Sequence, residues 1–348
     1  MVYPKKNTSD INFNIFMCFL LVITIVLILI KNHNKLPYES INYMIKPSEY
    51  SILFDEPIQP IPLKVELNKD KVKLGKRLFH DPQLSQDNTI SCASCHNLNT
   101  GGTDQMVRSI GINNRMGLIN APTVFNSGFN FKQHWDGSVE TLEEQIDRPI
   151  HAEHEMGSNW QEIFSKLKQS PEYVSLFNQL YKDGINSDNI KDAIATFERS
   201  LYTPNSRFDQ FLRGHKNALS SSEQEGYRLF KAYGCVSCHQ GVNVGSNMFQ
   251  AFGLFGDYFK DRGKLTKADL GRFNVTGNER DRYVFKVPSL RNVALTSPYF
   301  HDGSAETLEE AVTIMGKYEL GRRLSPNDIG LIVKFLKTLT GEYQGKPL

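Results

Sequence analysis

Cys92-Ala93-Ser94-Cys95-His96 and Cys235-Val236-Ser237-Cys238-His239 are two copies of one pattern, and they constrain the fold more than any other stretch. C-x-x-C-H is the attachment signature of a c-type haem. Two thiols three residues apart on one helical turn can bond the two vinyl-derived carbons along one edge of a porphyrin. The adjacent imidazole then lies under the iron as its proximal ligand. A lone copy also fits a redox dithiol or half a zinc site. Two copies, with no further cysteine pair to complete a zinc tetrad, point to two covalent haems. The fifth cysteine, Cys18, lies in an apolar run near the N-terminus, so no structural disulfide is expected. Covalent haem attachment of this kind implies maturation outside the cytoplasm.

The chain has 348 residues and a net charge of +2. That length fits about two domains, and without a basic run the composition carries no nucleic-acid signal. Residues 11–30 are almost unbroken apolar, with Lys5 and Lys6 before them and Lys31 and Lys35 after. About 20 residues at 1.5 Å each span roughly 30 Å, enough to cross a bilayer core. No small-x-small cleavage site follows Ile30, so an uncleaved anchor is favoured over a signal peptide. Five prolines between Pro37 and Pro62 then read as an extended tether. The expected organisation is a cytoplasmic N-terminus (1–10), a transmembrane anchor (11–30), a tether (31–66), an N-terminal haem domain (67–216) and a C-terminal haem domain (217–348). The chain would be single-pass in the inner (cytoplasmic) membrane, with its soluble domains on the periplasmic side.

Periodicity and caps predict a helix over Lys71–Phe79 leading to the first haem motif. A capping box of Ser221 and Gln224 precedes Gly226–Tyr233, which leads to the second. Ser187 opens a helix with Ile190, Ile194, Phe197 and Leu201 on one face. Ser325-Pro326 opens another that carries Ile329, Ile332, Val333, Leu336 and Leu339, with Gly341 just past its end. Alternating strands are scarce. The expected fold class is mainly α: two cytochrome c-like haem domains in tandem, preceded by one N-terminal transmembrane helix.

The halves resemble each other beyond the haem motifs. Gly75-Lys76-Arg77-Leu78-Phe79 matches Gly226-Tyr227-Arg228-Leu229-Phe230. Ala121-Pro122-Thr123-Val124-Phe125-Asn126 parallels Val287-Pro288-Ser289-Leu290-Arg291-Asn292. Without a gap, Trp135-Asp136-Gly137-Ser138 through Glu144 then parallels His301-Asp302-Gly303-Ser304 through Glu310. Such similarity argues for a duplicated one-haem unit. The differences carry the function. Met315, expected to end the helix after this shared motif, is either a sixth ligand to the His239 haem or a gap-filling core methionine. The same alignment sets Pro149 opposite Met315, and proline has no donor for iron. The first haem would then keep an open sixth position for a small ligand such as peroxide. Glu155 follows six residues later. Over an open haem its carboxylate can move a proton from one peroxide oxygen to the other; otherwise it is a solvated loop charge.

From about Leu67 to its end, the chain resembles the bacterial di-haem cytochrome c peroxidases, with the MauG-like di-haem enzymes as relatives. The resemblance rests on Leu78-Phe79-His80-Asp81-Pro82, both haem motifs, Asn120-Ala121-Pro122-Thr123, Trp135-Asp136-Gly137, Glu155-Met156-Gly157, and Pro298-Tyr299-Phe300-His301-Asp302-Gly303 followed by Met315. It implies a peroxidatic haem on His96, with Cys92 and Cys95 as its attachment points. It implies an electron-transfer haem on His239 and Met315, attached to Cys235 and Cys238. Glu155 would be the acid–base, Gln145 would position peroxide, and Trp135 would assist electron transfer between the haems. A calcium ion between the domains is implied on the Asn120 side chain and the carbonyls of Thr296 and Pro298, completed by waters. The implied reaction is reduction of hydrogen peroxide to water, with electrons from a small cytochrome c, a cupredoxin or quinol. Family members commonly form homodimers.

One departure stands out. Ile112 occupies the place where many of these enzymes carry a distal histidine, and isoleucine cannot bind iron. The first haem is therefore expected to be open as isolated, unless His151 or His154 swings in. In the MauG-like branch a tyrosine replaces the methionine and the substrate is a protein side chain. Met315 favours the peroxidase, although Tyr318 lies close by. The rival outside enzymology is a di-haem electron carrier with both irons closed. A haem-based sensor would need an attached signalling domain, and none is evident between Lys31 and Leu67 or after Leu339. His80 and His301 are read as structural polar groups, His134 and His215 as surface residues and Trp160 as a packing residue.

Overall fold

The computed structural model describes residues 56–348. Its helices form where apolar residues recur at three- and four-residue spacing and where a polar side chain can close the first turn. In chain order they are α1 (Lys69–Phe79), α2 (Cys92–Cys95), α3 (Leu142–Gln145), α4 (Asp147–His151), α5 (Trp160–Lys168), α6 (Pro171–Leu180) and α7 (Ser187–Ser200). They continue with α8 (Arg207–Leu212), α9 (Ser221–Ala232), α10 (Tyr258–Arg262), α11 (Phe273–Thr276), α12 (Leu308–Tyr318) and α13 (Pro326–Lys337). Among the described residues strand is confined to two antiparallel pairs: β1 (Phe249–Ala251) with β2 (Val284–Lys286), and β3 (Glu342–Tyr343) with β4 (Lys346–Pro347). The fold is mainly helical, as the sequence implied.

Several caps differ from expectation. α1 begins two residues early because the Asn68 side chain accepts from the backbone of Asp70 and Lys71. The capping box of α9 is Ser220 with Glu223, one residue before the expected pair. Ser220 to Ser222 offers three candidate caps. The Glu223 carboxylate decides between them, because it accepts from Ser220 N at 2.8 Å and is itself held by Arg207. α7 is capped by Asn186, not Ser187. α12 does not end at Met315 but runs to Tyr318, with Glu319 N closing on the Met315 carbonyl at 2.9 Å. Gly316 lies inside this helix, and Leu324 packs against it where a side chain would otherwise stand.

The repeat is physical. α1 crosses α7, and α9 crosses α13, in the same way. A Cβ on Gly75 would collide with the Ala193 carbonyl oxygen, and one on Gly226 with that of Leu331. Glycine at these two places lets the backbones touch. Asn126 and Asn292 both take left-handed backbone, with φ of 62° and 59°. Both side chains reach Thr203: Asn126 Nδ2 donates to its hydroxyl at 2.8 Å and Asn292 Nδ2 at 3.1 Å. All three residues are buried, so this amide–hydroxyl knot ties the halves together.

Two apolar cores result. One is built on α1, α5, α6 and α7 with Phe79, Ile163, Phe177 and Phe197; the other on α8, α9 and α13 with Phe208, Tyr227, Phe230 and Phe335. A third aromatic cluster, Tyr258, Phe259, Phe285 and Tyr318, receives Trp135 from the first half. The ends of the described chain interlock. Ile58 belongs to the second core, while Tyr343 and Leu348 pack on the first.

The last part of the expected tether is therefore not a tether. Ile58 and Ile61 are fully buried, Arg291 Nη2 donates to the Gln59 carbonyl at 2.9 Å, and Ile61 N donates to Asp209. The buried Arg291–Asp209 pair needs those main-chain partners, which explains why a proline-rich segment is ordered there. The expected cytoplasmic N-terminus, anchor and remainder of the tether lie outside the described residues. Among the described residues no helix is long and apolar enough to cross a membrane.

Candidate active site

Both C-x-x-C-H motifs fold into one turn. Cys92–Cys95 is a single turn of α-helix and Cys235–Ser237 a 3-10 turn. In each, the histidine N–H bonds back to the carbonyl of the first cysteine: His96 to Cys92 at 3.0 Å and His239 to Cys235 at 2.9 Å. Ser91 caps the first turn through Ser94, and Gly234, with φ of 87°, opens the second. The thiols are unpaired.

The donor set fits covalent haem better than the two alternatives. A redox dithiol needs one thiol of lowered pKa. Here burial pushes Cys92 up to about 12, Cys95 up to about 11 and Cys235 up to about 11. A zinc site needs a third and fourth ligand. Among the described residues the one cluster of metal-binding side chains is Asp269, His301 and Asp302, which contains no cysteine. That cluster is also taken: Arg262 donates to both carboxylates, and His301 Nε2 lies 2.7 Å from Asp269. Neither His96 Nε2 nor His239 Nε2 has a hydrogen-bond partner among the described residues, which leaves each free for iron. His96 Nδ1 lies 3.4 Å from the Gly102 carbonyl, whereas His239 Nδ1 is buried without a partner. Burial lowers the pKa of both rings, His239 to about 4, so both are neutral imidazoles able to bind a metal. Gly245 has φ of 119°, and a Cβ there would stand 3.2 Å from His239 Nδ1. The cradle under that ring has no room for a side chain.

Around the first motif three carboxyl groups are felt by the thiols: Glu198 by Cys92, and Asp104 and Glu155 by Cys95. Glu155 sits in the loop after α4. Burial raises its carboxyl above the ordinary range, opposed by the charges of His154 and Arg148; His154 Nε2 is 3.6 Å from Oε1. Gln145, the last residue of α3, points its Nε2 at Glu198, 3.3 Å from each carboxylate oxygen. The side chain of Ile112 is buried on Gly157, and its N–H donates to the Glu155 carbonyl at 2.9 Å. Gly111 fits against the carbonyls of His154 and Glu155, so the Ile112 loop is pinned to the Glu155 loop. His151 Nδ1 is 3.2 Å from the Ser158 carbonyl and its ring stands edge-on to Trp160.

In the second half Met315 is half-buried on α12. Tyr318, one turn later, turns elsewhere: its hydroxyl donates to Asp261 at 2.8 Å and accepts from Lys317 at 2.7 Å. Between the halves, Trp135 Nε1 donates to the Asn120 carbonyl and its ring stands edge-on to His301, centroids 6.4 Å apart. Asn120 Nδ2 donates to the Met106 carbonyl at 2.8 Å. Its Oδ1 and the carbonyls of Thr296 and Pro298 accept no hydrogen bond among the described residues, which suits oxygen ligands for a hard cation.

His134 is not the surface residue expected. Ser138 Oγ lies 2.8 Å from its Nδ1, and burial together with Arg148 holds its pKa well below the usual value. The shared Asp-Gly-Ser turn folds the ring inward. His301 is buried and structural, and His80 binds its own helix at Lys76. Sequence reasoning missed Glu198. It follows Ile194 by four residues, so it lies on the stripe that α7 buries. A carboxyl on that stripe was the available signal. Lys286 was also missed. It is buried on β2, its N–H donates to the Trp135 carbonyl at 2.9 Å, and burial pushes its ammonium down to about 8.

The family model "Di-haem cytochrome c peroxidase" matches residues 69–217. The chain is 50% identical over 290 residues to a protein named cytochrome c551 peroxidase from Nitrosomonas europaea, covering 83% of this chain and 85% of that one. It is 49% identical over 290 residues to one named cytochrome c peroxidase Ccp from Escherichia coli, covering 83% of this chain but only 62% of the longer relative. Among solved structures, a MauG-like protein associated with microbial copper homeostasis aligns with a TM-score of 0.72 at 29% identity, over 84% of this chain and 95% of that one. With half of 290 aligned residues identical across most of this chain and of the Nitrosomonas europaea relative, this protein belongs to the di-haem cytochrome c peroxidase family.

Proposed function

We propose that this protein is a di-haem cytochrome c peroxidase that reduces hydrogen peroxide to water. The reading rests on the family and on one asymmetry between matched positions: Pro149 stands where the second half has Met315. Cys92, Cys95, Cys235 and Cys238 would hold the two haems, and His96 and His239 would be their proximal ligands. Bound haem supplies an iron that binds peroxide in the first half and an iron that relays electrons in the second. Met315 would cap the second site. Ile112 and Pro149 have no side-chain donor atom, so neither would close the first site.

Peroxide reduction consumes two electrons and two protons and breaks the O–O bond. Glu155 would take the proton from one peroxide oxygen and deliver it to the other, so that the departing oxygen leaves as water. A raised carboxyl pKa suits a group that must both accept and return a proton. Gln145 would hold the peroxide by its amide. Trp135, seated in the second half's aromatic cluster, would lie on the electron path. Asn120, Thr296 and Pro298 would hold a calcium ion beside it. The donor would be a small cytochrome c, a cupredoxin or quinol. The apolar run at 11–30 would tether the protein to the inner membrane, with residues 67–216 and 217–348 as periplasmic haem domains that form a homodimer.

The MauG-like alternative needs a tyrosine on the second iron. Tyr318 supports the peroxidase instead, because its hydroxyl is bound to Asp261 and Lys317. The test is peroxide consumption by the haem-loaded protein with a reduced small redox protein as donor. Turnover is expected, together with a high-spin ferric signal from the untreated oxidised protein. Two low-spin irons in every redox state, with no turnover, would reduce the protein to an electron carrier.

A further inference from the structure

Glu198 is 4% exposed, lies inside α7 and has one hydrogen-bond partner among the described residues, the Gln145 amide. The other end of that amide, Gln145 Oε1, has no donor among the described residues. We propose that Glu198 sets the orientation of the Gln145 amide, and so decides which end of it faces bound peroxide. The inference rests on the reading of Gln145 as a peroxide-holding residue.

Hydrogen-bond direction distinguishes the two states of Glu198. An ionised Glu198 can only accept. Both its oxygens then draw the Gln145 NH2 toward α7, and Oε1 is left facing outward, ready to accept the O–H of a peroxide. A neutral Glu198 can donate. Its O–H then binds Gln145 Oε1, the amide turns over, and the NH2 faces outward to donate to a peroxide oxygen. One proton on a residue that does not touch substrate therefore exchanges an acceptor for a donor at the site. Glu198 is a positioning residue in this scheme.

The surroundings allow both states. The charged groups facing Glu198 are Arg199 on its own helix and Glu143 on α3; Cys92 on α2 also faces it and would be an uncharged thioether once haem is attached. Arg199 is bound on both nitrogens to Glu143, at 2.7 and 2.9 Å, so its charge is largely answered there. On the α1 side, Lys71 is paired with Asp192 at 2.7 Å, six residues before Glu198. Among the described residues no cation forms a salt bridge with Glu198 to fix it as the anion. Burial pushes its carboxyl up to about 8, within reach of neutral solution.

Full-length, haem-loaded protein and its Glu198→Gln, Glu198→Asp and Gln145→Leu variants test this. The readouts are the pH profile of kcat/KM for hydrogen peroxide and infrared difference spectra between about pH 6 and about pH 9. The wild type should show a transition in the profile. Glu198→Gln should lose it and fall about tenfold or more in kcat/KM, as expected for a misaligned positioning group. Glu198→Asp should keep a displaced transition. A carboxylic-acid C=O band should be absent in Glu198→Gln and shifted in Gln145→Leu. An unchanged rate and profile in Glu198→Gln would overturn the inference while leaving the peroxidase reading intact. Absence of peroxide turnover in the wild type would instead defeat the peroxidase reading. The infrared arm would then decide the coupling alone, and an unshifted band in Gln145→Leu would refute it.

Discussion

Trp135 and Asn120, both of the first half, are joined beside its seam with the second: the indole Nε1–H donates to the Asn120 carbonyl at 3.0 Å. The Asn120 N–H donates onward to the His301 carbonyl at 2.8 Å, so a residue of each half is held by the backbone of this one residue. A cation on the Asn120 side chain would therefore act on the position of the indole through about one residue of backbone.

Asn120→Ala should weaken calcium binding and slow electron passage, with both haems retained. The variant also loses the donor to the Met106 carbonyl, about 1 kcal/mol of stability. Calorimetric titration of chelator-treated protein with calcium, read beside turnover, checks both. Equal calcium affinity in wild type and variant would remove Asn120 from the ligand set.

Glu155→Gln should lower peroxide turnover about a hundredfold or more while both haem spectra persist. The base must be ionised to accept a proton, and burial has raised its pKa. Activity should accordingly fall, as pH drops, at a higher pH than the ordinary glutamate value of about 4.3. Stopped-flow peroxide reduction across pH is the measurement. A variant with full activity would end the acid–base assignment.

Glu198 should also leave a mark on stability. Unfolded, it ionises near about pH 4.3; folded, burial holds it up to about 8. The fold thus binds this proton more tightly than the unfolded chain does. Its contribution is fully present below the lower value and is lost as pH rises through the higher one. The Tm of the wild type should decline relative to Glu198→Gln across that window. Parallel Tm curves would show that Glu198 is ionised in the fold throughout.

Tyr318→Phe should leave the spectrum and potential of the second haem unchanged, because only the contacts to Asp261 and Lys317 are lost. Met315→Ala should lower that potential and open the iron to added ligands. The reverse pattern would make the tyrosine the ligand and move the protein toward the MauG-like branch.

Gly75→Ala and Gly226→Ala should each cost roughly 1–3 kcal/mol, because a methyl group must enter a backbone-to-backbone crossing. Thermal unfolding of each variant tests whether the two crossings are equivalent. A neutral or stabilising result would mean that the helices separate easily there.

The sequence by itself determined the chemistry and the repeat. Two C-x-x-C-H turns, a methionine opposite a proline, and an isoleucine where a histidine could stand are statements about donor atoms, which depend on residue type alone. The helical character was legible for a similar reason, since the stripe of Ile190, Ile194 and Phe197 is a matter of spacing. The tertiary structure decided what lies against what. Ile58 joined the second core because a buried Arg291 needed a main-chain partner distant in the chain, and Leu348 packed on the first. Tyr318 faced Asp261, His134 folded inward, and Glu198 met Gln145 across 53 residues. Burial and hydrogen-bond direction are properties of the packed molecule, and a linear pattern fixes neither.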